Sequence, residues 1–443
     1  MTEPSLLLLI MGLTILLGFI FNYVFSKTGI PDAIFLLVFG LLLGPGLKVI
    51  DPTNLLSIAP FFSQIALLII LMDGGIAMDL HEVLRGSFRA TLLAVMGFAL
   101  SVVSIAWVTV HLLGWGLVYG LLFGAIVGNP TPILVFYVVD RMKLEKHTST
   151  VLRLEAIIAE IMVIVVALAL LDSFMAPQLL PALIAKKVLT KFIIGGVLGL
   201  IIGTLWYFVL ERLSRRPYSY MLTLAVAFII FSVTENIGGS GPISALFFGL
   251  ALGNEEHIAR LFGHRMRVVR FDETMRGFHA EVSFFIKALA LVYLGLIFVI
   301  SGYSIILYGV IISLILFAAR LLSVRVCTIG SRLKKDRGGM YWMVPRGLAP
   351  AVLSVTVLSF ANQFPDKILI ANAKIISELT FVVILCTILI CTIGTYIYSR
   401  REIPSKRASK YVEIRVSTAP KSTILHPGYV KNSNKIALLT MLD

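Results

Sequence analysis

The sequence predicts an all-α polytopic membrane protein: about 13 transmembrane helices in two inverted six-helix repeats, with helices 5 and 12 broken. Three observations predict it. The 443 residues are 58% hydrophobic and 14% charged, with a mean hydropathy of +0.96, where a soluble domain averages about 45–50% apolar and roughly 25% charged. The apolar residues collect in runs close to the ~20 that one helix needs to cross a bilayer, not in the alternating strands of an outer-membrane barrel. Two features recur along the chain at nearly one spacing, which indicates duplication.

Taken in order, segment 1 is Ser5–Phe25. It exceeds the roughly 7–15 residues of a signal-peptide core and has no basic stretch before it, so it is expected to remain as a span. Pro31–Lys48, Ile58–Met78 and Phe88–Leu112 follow across short loops. Segment 5, Trp115–Val139, is interrupted by Asn129-Pro130-Thr131-Pro132, and proline within a helix removes backbone donors and frees carbonyls. Segment 6 is Ser149–Leu171, and segment 7, Lys186–Leu210, joins the two halves. Segments 8 to 11 are Tyr218–Asn236, Gly241–Gly253, His279–Ile300 and Tyr303–Cys327. Segment 12, Gly338–Ala361, is broken by Pro345-Arg346-Gly347-Leu348-Ala349-Pro350, and segment 13 is Ala373–Ser399. The longest internal loop, Asn254–Gly277, is basic with interspersed apolar residues and is expected to hold a helix lying on the membrane. Residues 1–398 thus form the transmembrane domain, and 399–443 a polar, basic, weakly ordered tail.

The repeats cover about residues 5–171 and 218–398. Phe39–Gly44 (FGLLLG) is echoed by Phe248–Gly253 (FGLALG) at an offset of 209, and the breaks in segments 5 and 12 stand near 216 apart. Seven segments separate the copies, an odd number, so one copy is inverted relative to the other. Such repeats place a transporter's site at the broken helices.

Orientation follows from lysine and arginine in the loops. The loops opposite the N-terminus collect 18 of these residues, from Lys27 to Arg337, and the loops on its own side collect four (Lys48, Lys186, Lys187, Lys367). The N-terminus is therefore expected outside and the C-terminus in the cytoplasm of a cell membrane. The formal charge of +14 is explained by these cationic loops facing an anionic lipid surface, and no nucleic-acid partner is expected. Cys327, Cys386 and Cys391 lie in or beside apolar runs and form no metal spacing. No Walker motif or nucleophile–base constellation is present, so neither an enzyme nor a cofactor is expected.

Ionisable groups inside spans are costly and mark function. Here they are Asp73, Glu155, Glu160, Glu235, Lys287 and Arg346, while Arg153, Arg320, Arg325 and Glu281 stand near enough to helix ends to snorkel. Glu155 and Glu160 are five residues apart on one helix, about 140° around its axis, so they cannot serve one site. Glu160 precedes an unbroken apolar run and is the candidate cation and proton carrier. Asp73, the oxygens of Asn129 and Thr131, and the carbonyls freed by Pro130 would complete the site. Glu155 is expected in a structural pair with Arg346, and Lys287 as an inward-facing charge partner to an acid, near Asp73's place in the other repeat. Glu235 is expected at a helix end. The only metal implied is the transported cation.

These residues resemble the monovalent cation:proton antiporters, specifically the archaeal NhaP-like sodium/proton exchangers, from about Thr28 to Tyr396. Gly29-Ile30-Pro31-Asp32 with Gly40–Pro45 looks like the family's second helix. Asp73-Gly74-Gly75 matches its Glu-Gly-Gly, Phe278–Lys287 its aromatic core helix, and Pro345–Val352 its Arg-Gly-Leu break. The family's Glu-Ser…Asn-Asp helix reads Glu155-Ala156…Ala159-Glu160 here, and its Thr-Asp-Pro reads Pro130-Thr131-Pro132, so three side-chain oxygen ligands are missing. The resemblance implies a homodimer with an elevator-like movement, a dimerisation bundle drawn from segments 1–3 and 8–10, and a transport core around segments 5, 6, 12 and 13. It implies antiport of a monovalent cation, Na⁺ first, against H⁺. An uncoupled cation or proton pathway, and a non-transporting sensor on the same fold, are the alternatives.

Overall fold

Hydrocarbon offers no partner to a backbone N–H or C=O, so spanning segments close their hydrogen bonds internally as helices. The computed structural model describes residues 3–28, 31–48, 59–78, 88–174, 181–213, 219–254, 273–298, 302–362 and 367–418. It divides into two units, Met1–Thr395 and Tyr396–Asp443. Among the described residues no strand occurs.

The helices are α1 (Glu3–Thr28), α2 (Asp32–Leu41), α3 (Ala59–Ala77), α4 (Phe88–Leu113), α5 (Leu117–Ile126), α6 (Pro132–Met142) and α7 (Lys146–Ser173). They continue with α8 (Pro181–Leu213), α9 (Ser219–Asn236), α10 (Gly241–Gly253), α11 (Glu273–Ile297), α12 (Tyr303–Cys327), α13 (Leu348–Ala361) and α14 (Lys367–Thr418). Each of the hydrophobic segments predicted from sequence corresponds to one of these helices, or to a broken pair. Among the described residues seven helices are long and apolar enough to cross a membrane, and six shorter apolar helices accompany them. The short ones have local causes. Pro45 sits in a π turn, Leu42–Gly46, that ends α2. Segment 5 becomes α5 and α6, separated at 127–131. Before segment 12 comes a 3-10 turn, Arg332–Asp336, and the segment itself opens with a helical turn, Arg337–Met340, and an extended stretch that leads into α13.

The glycine hexapeptides account for the closest packing. A Cβ at Gly40 on α2, or at Gly44 in the π turn that follows, would overlap backbone atoms of Val292, Gly295 and Leu296 on α11. On α10, a Cβ at Gly249 or Gly253 would overlap backbone atoms of Met72 and Ile76 on α3. Small residues let helices approach in a bilayer, where no hydrophobic force drives them together. The arrangement is reciprocal: the second helix of each repeat lies against the third helix of the other. The contacts also set the register, since Gly40 meets Gly295 and Gly249 meets Gly75 in the same way. On that register Asp73 corresponds to Tyr293, not Lys287, which stands about one and two-thirds turns away along α11. The expectation that Lys287 occupies Asp73's place in the other repeat is therefore corrected.

Glu235 lies at the end of α9, and its Oε1 accepts the backbone N–H of Gly241 at 2.7 Å, capping α10. The surface helix expected within Asn254–Gly277 falls on residues 255–272, outside those described. The first part of the expected tail continues α14 as far as Thr418, and 419–443 lie outside the described residues.

Candidate functional site

The two breaks meet. Thr131 N donates to the carbonyl of Pro345 at 2.9 Å, joining the α5/α6 break to the stretch before α13. Arg346 lies between them, 2% exposed, and its Nε donates to the carbonyl of Val127 at the end of α5 (2.7 Å). Its Nη1 donates to Val344 O at 3.0 Å, and its backbone N–H to Thr387 Oγ1 at 3.1 Å. A cation at a helix C-terminus opposes the negative end of the helix dipole. Arg346 thus satisfies carbonyls that the break leaves open, which is what allows irregular backbone inside a membrane.

This overturns the expected Glu155–Arg346 pair. Glu155, 2% exposed, is held by Arg320 of α12, 5% exposed, through a bidentate contact: Nη1 to Oε1, and Nη2 to Oε2 at 3.0 Å. Arg320 Nε also donates to Met340 O at 3.1 Å. Arg320 does not snorkel. It points into the protein because α12 packs against α4, which in turn packs against α7. Arg346 is in range of both charges, but its donors are directed to backbone oxygens.

Glu160, five residues on, faces elsewhere, as the helical rotation requires. It lines a cavity of about 120 Å³ with Asp73, Thr131, Pro132, Lys287 and Leu348. Among the described residues it makes no hydrogen bond or ion pair, and Lys287 is the charge acting on it. Lys287 Nζ lies 2.5 Å from Asp73 Oδ2, and Ser283 Oγ donates to the same oxygen at 2.9 Å. A second cavity of about 240 Å³ adjoins the first, sharing Asp73, Thr131, Lys287 and Leu348. The Thr131 side chain is 4% exposed, and its hydroxyl has no hydrogen-bond partner among the described residues. Thr131 and Gly347 are the N-caps of α6 and α13, so two helix N-termini reach this centre.

Asn129 and Pro130 line neither cavity. Asn129 Nδ2 donates to the proline's own carbonyl, Pro130 O, at 3.1 Å, so these two groups engage each other. Among the described residues the first cavity brings together one unpaired carboxylate, one paired carboxylate, one free hydroxyl and one ammonium. Groups of that kind can exchange a proton for a small cation. Three participants escaped the sequence reading. Arg320 reads in sequence as a helix-end residue, Ser283 as an ordinary serine on a helix, and Asp32, which lines the second cavity, as part of the Gly29–Asp32 motif alone. Among the described residues no metal-binding group of three His, Cys, Asp or Glu occurs.

Comparisons with known proteins agree with this architecture. The chain is 27% identical over 409 residues to a protein named probable Na⁺/H⁺ antiporter 2 from Methanocaldococcus jannaschii, covering 86% of this chain and 91% of that one. It is also 27% identical over 376 residues to the K⁺/H⁺ antiporter NhaP2 of Shewanella baltica, covering 82% of this chain but spanning only 61% of that relative's length. The solved structure of the sodium proton antiporter MjNhaP1 from M. jannaschii matches with a TM-score of 0.74 at 21% identity, over 90% of this chain and 99% of that one, and shows the same fold. The family model described as sodium/hydrogen exchanger, transmembrane, matches residues 12–399. With broken helices crossing beside membrane-embedded carboxylates, and with that match over most of its length, the chain belongs to the transmembrane sodium/hydrogen exchanger family: a multi-pass secondary transporter, not an enzyme.

Proposed function

We propose that the protein exchanges a monovalent cation, Na⁺ before K⁺, for protons, with Glu160 carrying either one or the other. The observation that carries this reading is Glu160 in a cavity at the helix break, with no ion pair or hydrogen bond among the described residues. A carboxylate committed to a structural partner, such as Glu155, cannot release and accept ions. An uncommitted one can hold a proton or a cation but not both, and that exclusion couples the two fluxes. Thr131 Oγ supplies a neutral ligand, and Asp73, restrained by Lys287, a second charge. Asn129 and Pro130, whose polar atoms engage each other, support the break. Na⁺ comes first because the relative matched over most of its own length is named for it, and K⁺ second because the NhaP2 relatives are named for that ion.

In the same reading, residues 1–398 are the transport domain of a homodimer, as the family resemblance suggests, and 399–443 a cytoplasmic tail. The N-terminus is outside the cell membrane, on the loop charge asymmetry of 18 to four. The test is a pH-jump assay in proteoliposomes with Na⁺, Li⁺, K⁺ and choline compared. Antiport predicts that a Na⁺ or K⁺ gradient alone drives internal pH, and that choline does not. An uncoupled pathway dissipates either gradient without driving the other, and a sensor moves neither.

A further inference from the structure

We propose that the second cavity is a monovalent-cation site built on Asp32, outer in the sense of nearer the cavity mouth and on the side of Lys27, occupied before the ion reaches Glu160. Asp32 opens α2 and lines this cavity with Asp73, Thr131 and Lys287. Its Oδ1 accepts the backbone N–H of Ala33 at 2.9 Å. That bond is an ordinary helix-start contact, and alone it would make Asp32 a dipole-compensating residue. Two further observations go beyond that role. Among the described residues no side chain hydrogen-bonds or directly pairs with the carboxylate, the charge in range being Lys287, which is engaged with Asp73, and it borders a cavity of about 240 Å³, roomy enough for a cation with several waters. The Thr131 hydroxyl, buried and without a hydrogen-bond partner, lines the same cavity.

With the carboxylates ionised, the two cavities together carry Asp32, Asp73 and Glu160 against the one shared Lys287, two net negative charges. Lys287 offsets Asp73, which leaves Asp32 in the outer cavity and Glu160 in the inner one, each with one charge for a monovalent ion. Asp73, Thr131, Lys287 and Leu348 border both, so an ion leaving Asp32 passes the Thr131 hydroxyl and the Asp73 carboxylate before it meets Glu160. Asn22 and Ala280, both exposed, mark the mouth. A cleft of one charge sign with low-dielectric walls concentrates counter-ions, and Asp32 supplies that charge at the entrance.

This inference rests on the antiport reading for its purpose but is tested without transport. In purified protein Asn22→Cys is labelled with a small cationic and a small neutral methanethiosulfonate, and reaction at residue 22 is read from the mass of its own peptide, so the native cysteines stay in place. Ala280→Cys serves in parallel should Asn22→Cys misfold. The outer site predicts that the cationic reagent reacts faster than the neutral one by about tenfold, the low end for charge focusing in a cleft. It predicts that Asp32→Asn brings the ratio close to one. It also predicts that Na⁺ slows labelling in the parent and equally in Glu160→Gln, but not in Asp32→Asn. Slowing by Na⁺ that survives Asp32→Asn, or that vanishes in Glu160→Gln, overturns the proposal. Cation-dependent slowing in a parent that exchanges nothing in proteoliposomes would sink the antiport reading and leave the outer site standing.

Discussion

Replacing Arg320 with alanine removes the partner of a carboxylate that is 2% exposed. The pair is bidentate, and Arg320 also supports Met340 O. Breaking a buried pair on one side costs about 3–5 kcal/mol, because the remaining charge is stranded. At 1.36 kcal/mol per factor of ten, that is a roughly 10²- to 5×10³-fold shift toward the unfolded protein. The nearby Arg346 does not make good the loss, since its Nε and Nη1 are held by Val127 O and Val344 O. Arg320→Lys should recover only part of the loss, for a point charge cannot reproduce the planar fork. The Glu155→Gln/Arg320→Met double variant should be more stable than Arg320→Ala, because it leaves no buried charge without a partner. The assay is monodispersity and thermal unfolding in detergent, completed as a double-mutant cycle. The reasoning fails if Arg320→Ala melts like the parent, or if the double variant is no better than the single one. Arg346→Ala differs in kind: it strands no carboxylate but leaves two carbonyls, Val127 O and Val344 O, without their side-chain donor, each an unsatisfied buried polar group costing about 1–3 kcal/mol, so adding Glu155→Gln should not rescue it as it rescues the loss of Arg320.

Glu160→Gln should abolish exchange while leaving the melting profile intact, since among the described residues this carboxylate has no partner to strand, and Glu160→Asp should retain part of the rate. Because proton and cation compete for one carboxyl, apparent cation affinity should fall about tenfold per pH unit below its pKa, and flux titrations across pH that stay flat would contradict this. Gly249→Leu should disrupt folding, since its Cβ alone would overlap the backbone of Met72; recovery of monodisperse, active protein would show that the α3–α10 approach is not required. A cysteine at Ser422 should resist impermeant thiol reagents added outside intact cells, and labelling there would reverse the proposed orientation.

What the sequence alone determined is whatever depends on neighbours along the chain or on simple periodicity. Apolar run length set the spans, because the bilayer dictates helix length. Pro130, Pro132, Pro345 and Pro350 located the breaks, because proline denies the helix its donors. The five-residue spacing of Glu155 and Glu160 assigned them different directions, because rotation about a helix is a local property. The glycine hexapeptides exposed the duplication, and the packing of Gly40 and Gly249 across the two repeats shows why glycine stands at those positions.

Tertiary structure alone decided which distant charge meets which. Arg153, Arg320, Arg325 and Arg346 all stand in or near apolar segments, and the choice of Arg320, 165 residues from Glu155, depends on α12 packing beside α4. Arg346, the partner expected from sequence, is drawn instead to carbonyls left open where the two breaks meet. Lys287 finds Asp73 by contact between α3 and α11, not by repeat symmetry. Asp32 reads in sequence as a helix-start residue. Its place at a cavity shared with Asp73 and Thr131 follows from how α2, α3, α6 and α11 come together, because a cavity is a property of packing among helices and leaves no signature in any one of them.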